Sequence, residues 1–195
     1  MAIININREN CLTSHWSGGT TTELYIYPPE SSYIRRDFDL RISTALVEAP
    51  ESTFTKLPGI RRHLIILDGE IRLYPDNQEQ RRLGKGDKIF FPGDWDMRSE
   101  GTCEDFNVMT SKKIDTAVDT LSIQQETCQE VILASSWQSV FLYCVSGKAS
   151  LHLAEDILPF NNGTLLLITG KEMETCTICA ETNTEIISVF TNNKF

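Results

Sequence analysis

The sequence predicts an all-β protein, and three observations lead there: alternation with a period of two, turn residues at short intervals, and scarce helical periodicity. Leu40, Ile42, Thr44 and Leu46 alternate with Arg41, Ser43, Ala45 and Val47. Similar short runs occupy residues 22–27, 63–67, 70–74, 88–91, 140–145, 148–153, 164–168 and 185–190. Pro28-Pro29, Pro58-Gly59, Asp68-Gly69, Pro92-Gly93-Asp94 and Asn161-Asn162-Gly163 punctuate them, supplying the fixed or permissive backbone angles that reverse a chain. The best helical candidate, about 111–120, is short and reads equally as a linker. Many short, evenly spaced strands indicate a sandwich or barrel.

The chain also repeats itself. Leu64-Ile-Ile-Leu-Asp-Gly69-Glu-Ile-Arg-Leu73 parallels Leu142-Tyr-Cys-Val-Ser-Gly147-Lys-Ala-Ser-Leu151, and Gly86 to Gly93 parallels Gly163 to Gly170, at offsets of 77–78 residues. Each copy is an apolar strand, a glycine turn and an alternating strand. The pattern predicts two similar β-barrel halves, 1–112 and 113–195, packed as one unit.

Charge narrows the partners. Eighteen Lys+Arg against 27 Asp+Glu give a net charge of −9, and no basic cluster exceeds two adjacent residues. Nucleic-acid binders carry a basic face that neutralises phosphates, so nucleic acid is excluded as the expected partner. No apolar stretch approaches the roughly twenty residues of a bilayer span, and the N-terminus lacks the features of a signal peptide. The expected location is cytoplasmic, with no membrane partner.

Six cysteines stand at 11, 103, 128, 144, 176 and 179. Their scattered spacing, in a compartment that keeps thiols reduced, argues against a disulfide framework. Cys176-Thr-Ile-Cys179 is a lone CxxC on a predicted strand. With no second pair it does not make a four-ligand zinc site, and it reads as two small side chains on opposite strand faces.

A strand ending in Leu-Asp-Gly-Glu, followed by Gly-Asp-x-x-x-x-Pro-Gly, resembles the two motifs of the cupin superfamily. Cupins are double-sheet, jelly-roll-like barrels (double-stranded β-helices) whose mouth commonly holds a metal on histidines and a glutamate. Counted back from Gly69, the glutamate slot falls on Arg62 and the first histidine slots near Lys56 to Pro58. The second-motif slot falls near Met97. His63 lies one residue off, so alternation points it to the opposite face, and His15 and His152 lie in other segments. The expectation is no metal and no cofactor.

Arg62 places a permanent cation where cupins place a cation-binding anion. Arg41 shares a strand face with Ser43. It is exposed if the apolar face packs between sheets, and internal if the small residues line the interior. Arginine's planar fork pairs with carboxylates in two parallel hydrogen bonds, so an internal Arg41 signals either an acidic small-molecule ligand or a pair with Glu23, Asp105 or a neighbour. For Arg61 the internal pair is the favoured reading. Trp16-Ser17-Gly18-Gly19-Thr20-Thr21-Thr22-Glu23 combines an aromatic, two glycines and hydroxyls before a strand. It serves as a ligand-contacting wall or as a hairpin with a buried tryptophan. Asp105 and Asn107 share one strand face and require hydrogen-bond partners, from protein or ligand.

Together these segments resemble the HutD/Ves family of two-barrel cupins: Trp16 to Glu23, Phe38-Asp-Leu-Arg-Ile-Ser43, Phe54 with Leu57-Pro-Gly-Ile-Arg-Arg62, Phe91-Pro-Gly-Asp94 and Asp105-Phe-Asn-Val-Met109, in this order. The resemblance covers residues 10–110 strongly. It implies a bicupin fold, a polar pocket in the N-terminal half, and, for some members, a link to histidine utilisation or stress induction. The family usually has Asp-Arg where this chain has Arg61-Arg62, a departure that raises the expected positive charge of the pocket.

The leading functional expectation is a metal-free protein binding a small carboxylate, with Trp16, Ser17, Thr22, Glu23, Arg41, Ser43, Arg62, Asp105 and Asn107 as ligand-binding residues and no catalytic residue. One alternative is a metal-independent isomerase or hydrolase using Glu23 or Asp105 as general base. Arginines nearby would tune such a base downward, against its use. The other alternative is an interaction scaffold. Exposed sheet edges are compatible with a homodimer.

Overall fold

The computed structural model describes residues 2–76, 78–132, 137–170 and 175–195. Strand β1 (Ala2–Asn7) leads through a 3-10 turn at Arg8–Asn10 into β2 (Leu12–Trp16), β3 (Gly19–Tyr27), β4 (Leu40–Val47), β5 (Glu51–Thr53), β6 (Ile60–Pro75), β7 (Arg81–Gly84), β8 (Lys88–Pro92) and β9 (Met97–Ser111). There follow β10 (Thr116–Ile123), β11 (Cys128–Ile132), β12 (Ser139–Ser146), β13 (Lys148–Leu153), β14 (Asp156–Asn161), β15 (Thr164–Thr169), β16 (Thr175–Ala180) and β17 (Thr184–Thr191). Among the described residues no helix is long and apolar enough to cross a membrane.

Two units separate: Cys11–Ile114, and Met1–Asn10 with Asp115–Phe195. The sequence reading grouped 1–112. Strand β1 instead pairs antiparallel with β15, from Ala2↔Thr169 to Asn7↔Thr164, and Ile3 packs on the core of the C-terminal unit. Long-range pairing of this kind leaves no mark in a local alternation pattern. Similarly, the 111–120 segment contributes strand β10, whose eight residues pair in register with β17. The β-branched Thr116, Val118 and Thr120 suit that ladder.

In the first unit the strands run β2-β3-β4-β9-β6-β7, with β5 on β9 and β8 on β6. β6 is 16 residues long and β9 is 15, and they pair along almost their whole length. A register shift between Ile66 and Asp68 bends the pair, as an extra residue in one strand does. The early half of β6 pairs with β8 and the late half with β7. Leu64 and Ile66 from one half, and Ile71 and Leu73 from the other, share a core with Phe91, Met97 and Cys103.

The C-terminal unit stacks a five-stranded sheet, β1-β15-β12-β17-β10, and a four-stranded sheet, β11-β16-β13-β14, over one core. Neither strand path closes on itself among the described residues. The expected jelly-roll-like halves thus consist of sheets that do not close among the described residues.

The repeat seen in sequence is a repeat of backbone geometry. Gly69 and Gly147 both sit at positive φ, +79° and +97°, and a Cβ on either would strike a backbone carbonyl, that of Thr102 or Asn183. Only glycine meets both conditions without strain. The amides of Gly86 and Gly163 donate to the carbonyls of Ile66 and Cys144 at 2.8 and 2.9 Å.

The expectation of six reduced cysteines is corrected. Cys128 and Cys179 face each other across the β11–β16 ladder and form a disulfide. Their separation of 51 residues hid the pair. The CxxC residues do lie on opposite faces: Cys176 is buried in the core and Cys179 is half-exposed.

Candidate functional site

The register of the first unit gathers the polar residues on one inner face. Arg41, Ser43 and Ala45 of β4 lie opposite Met109, Asn107 and Asp105 of β9. Those three in turn lie opposite Arg62, Leu64 and Ile66 of β6, and Glu23 of β3 is level with Ser43. Paired residues share a sheet face. Arg41, Ser43, Arg62, Asp105 and Asn107 are all 5% exposed or less. Leu40 and Ile42, on the opposite face of β4, are wholly buried too, so polarity alone did not tell the inside from the outside of this strand.

Arg41 is committed within the protein. Its Nε donates to Glu23 Oε2 at 2.7 Å and its Nη1 to Ser43 Oγ at 3.2 Å, and the Tyr33 ring covers the guanidinium at 4.6 Å. Arg62 is held differently. Its guanidinium lies 4.8 Å from the Phe54 ring centre and 5.4 Å from that of Phe91, a cation–π arrangement in a desolvated setting. Its Nε is buried without a hydrogen-bond partner, as are Oδ1 of Asp105 and Oδ1 of Asn107. Such orphans cost about 1–3 kcal/mol each.

Burial draws the Arg62 pKa down to about 10, against the pull of Tyr33 and Asp105 and with the push of Arg41; it stays a cation at neutral pH. Burial raises Asp105 to about 7, which the Arg62 charge opposes and Glu104 reinforces. The sequence reading expected neighbouring arginines to lower this carboxylate. Desolvation wins because the side chain has no access to water.

Other expected residues stand elsewhere. Trp16 and Ser17 form the exposed tip of the β2–β3 hairpin, where Trp16↔Gly19 is the last pair. Trp16 is 40% exposed, and its ring lies where a Gly18 Cβ would be. Thr22 is buried on the opposite face from Glu23, its Oγ1 2.9 Å from that of Thr13. Arg61 points away from Arg62 and donates to the carbonyls of Ile114 at 2.6 Å and Ser111 at 3.3 Å, so it adds no charge to the inner face. Tyr33, which covers Arg41, gave no sequence signal because it comes from the loop between β3 and β4.

The donor set does not fit the metal that cupins commonly hold. A buried cation, Arg62, fills the glutamate slot. Met97 is buried in the apolar core, and Lys56 is paired with Asp96 at 2.6 Å. His63 packs on Phe90 at 4.7 Å, and burial, with Arg61 and Lys88 nearby, lowers its pKa to about 4. His152 is bonded to Ser150 in the other unit. Among the described residues no three His, Cys, Asp or Glu side chains are grouped to hold a cation.

A surface cleft of about 300 Å³ is lined in part by Arg36, Lys113, Phe38, Leu57 and Ile60. Phe38, Leu57 and Ile60 pack with Met109 and Tyr33. This apolar cluster adjoins the buried arginines through Met109, which is level with both Arg41 and Arg62.

An all-β, cupin-like fold with a buried arginine at position 62 defines the class of protein. Its likeness to solved structures is extensive. The chain is similar to PA5104 from Pseudomonas aeruginosa PAO1, a conserved protein of unknown function (TM-score 0.85, 17% identity, 99% of this chain and 100% of that one). It is also similar to HutD from Pseudomonas fluorescens SBW25, solved in a formate condition (TM-score 0.75, 19% identity, 98% and 100%). Bacillus subtilis oxalate decarboxylase shares the fold at 8% identity (TM-score 0.73, 98% and 78%). No curated protein matches by sequence. The chain belongs to the HutD family, whose model matches residues 8–187.

Proposed function

We propose that the first unit binds a small carboxylate on its inner face, with Arg62 as the anchoring cation. The observation that carries this reading is the trio of buried, unpartnered polar atoms on Arg62, Asp105 and Asn107. A carboxylate satisfies the Arg62 donor, and a protonated Asp105 donates a second hydrogen bond to it. Arg41, held by Glu23 and Ser43, acts from the next position by charge. The approach is through the cleft beside Phe38, Leu57 and Ile60, which must part to admit the ligand. Family membership supports a regulatory role in histidine utilisation, and intermediates of that breakdown are small carboxylic acids.

The test is thermal unfolding of the full chain with urocanate, glutamate, formylglutamate and formate, with and without EDTA. A ligand at a hundred times its Kd adds about 2.7 kcal/mol of stability. The expected result is a raised midpoint with one acid, lost in Arg62→Ala. Because Asp105 must be protonated to donate, affinity falls by up to about tenfold per pH unit above pH 7. A pH-independent affinity between pH 6 and 8, or a midpoint lowered by EDTA alone, overturns the reading.

Asp105 also favours a second reading. A carboxyl group near pH 7 suits general acid–base catalysis, so Asp105, rather than the Arg-paired Glu23, is the residue on which a metal-independent reaction would turn. Turnover of any of these acids, lost in Asp105→Asn with binding retained, identifies that case.

A further inference from the structure

The C-terminal unit carries a feature that the carboxylate site does not use. Cys128 is exposed and lies on β11, the edge strand of its sheet, bonded to Cys179 of β16. Four of the five β11 residues are exposed, and Val131 alone packs, half-buried, on the core. Strand β11 thus depends on one backbone ladder, one half-buried side chain and the disulfide.

The other sulfurs of this unit do not compete for the bond. Cys144 and Cys176 are buried, and burial pushes their thiols up to about 12 and 11. Thiolate is the species that attacks a disulfide, so such thiols are inert at neutral pH. Cys176 also faces the core, on the opposite side of β16 from Cys179. Cys128 is therefore open to solvent thiols, and the bond is closed to reshuffling with Cys144 and Cys176.

We propose that Cys128–Cys179 is an exchangeable dithiol–disulfide couple, reduced by a low-molecular-weight thiol and controlling the attachment of strand β11. In the first step the external thiolate attacks Cys128 Sγ, the Cys128–Cys179 bond breaks, and Cys179 departs with the electron pair and takes a proton from water. A second external thiolate then attacks the small thiol's sulfur in the mixed disulfide. Cys128 leaves as the thiolate and is protonated. Two external thiols are oxidised to their disulfide, and the protein gains two electrons and two protons. Among the described residues the reduced strand keeps its ladder and Val131, and it separates from β16 more often.

The experiment uses the full chain purified without reductant and equilibrated in buffers of reduced and oxidised glutathione. Accessible thiols are blocked under native conditions and mapped by mass spectrometry, and amide exchange of residues 128–132 is followed in parallel. Expected is a gain of two adducts, on Cys128 and Cys179, as the buffer becomes reducing. Cys144 and Cys176 stay unlabelled until the chain is denatured. Amides of 128–132 exchange faster in the reduced protein, and Cys128→Ser reproduces this rate in either buffer. Three results overturn the proposal: free Cys128 and Cys179 in the oxidised protein, a bond that survives excess reduced glutathione in the folded state, or exchange of 128–132 unchanged by reduction. None depends on the carboxylate reading, which concerns the other unit.

Discussion

The two units share a strand plan and differ in what their inner faces hold. In the first unit β6 pairs with β9 and β9 with β4; in the second, β12 pairs with β17 and β17 with β10. The glycine landmarks match Arg62 to Val140, and following the ladders from there Arg41 corresponds to Ala117, Asp105 to Ile186 and Asn107 to Ser188. The second interior is a continuous apolar core of Val140, Leu142, Leu151, Leu166, Ile178 and Ile186. The same backbone thus supports a dry core in one place and a buried cation with a near-neutral acid in the other. The polar face lowers stability, because each unpartnered buried group there forfeits its hydration.

The largest effect is expected where the apolar interior is cut. Leu166→Ala, at a wholly buried position, should destabilise by about 2–5 kcal/mol in denaturant unfolding. A loss under 1 kcal/mol would mean that this interior is loosely packed, and the contrast between the units would weaken.

Asp105→Asn should act in the opposite direction at alkaline pH. With its folded pKa raised to about 7 above an unfolded value near 3.9, the native state binds more protons between these limits. Stability therefore falls as pH rises from about 4 to 7 and levels off above, by on the order of a few kcal/mol. His63, lowered to about 4, has the opposite slope between about 4 and 6.5, so the Asp105 contribution is read as the difference between wild type and variant. Asp105→Asn should be the more stable at pH 8. Parallel pH–stability curves for the two would refute the desolvation account.

Next come Gly69→Ala and Gly147→Ala. Positive φ and a carbonyl in the path of the new methyl group predict a loss above about 1 kcal/mol for each. Similar losses would sharpen the equivalence of the units; a neutral effect at one would break it. The smallest effect belongs to Lys113→Ala, which removes a surface pair with Asp39 at 3.0 Å whose lysine is largely exposed. A change between about 0 and 1 kcal/mol is expected, diminishing with added salt.

Much of the fold was legible in local sequence. Strands β3, β4, β8, β12, β13, β15 and β17 coincide with alternating or apolar runs, and the glycine repeat marked two related halves. Among the strands that escaped notice, β1 is exposed or half-buried throughout and β2 is fully exposed, so neither carries a clear alternation. Of the expected binding residues, Glu23, Arg41, Ser43, Arg62, Asp105 and Asn107 share one sheet face. Trp16, Ser17 and Thr22 were grouped with them because they adjoin in sequence, whereas the hairpin carries Trp16 and Ser17 to an exposed tip and alternation turns Thr22 to the other face.

The sequence by itself determined the all-β class, the glycine-marked repeat and the arginine at position 62. These follow from periodicity, turn chemistry and residue identity, which are local properties of the chain. Tertiary structure alone decided that Arg41 spends its donors on Glu23 and Ser43, that Arg62 keeps one unspent between Phe54 and Phe91, that Asp105 rises toward neutrality, and that Cys128 meets Cys179. Each depends on which residues distant in the chain are brought level across a ladder and on how far water is excluded there. Both are consequences of strand register, and register is fixed only when the whole sheet assembles.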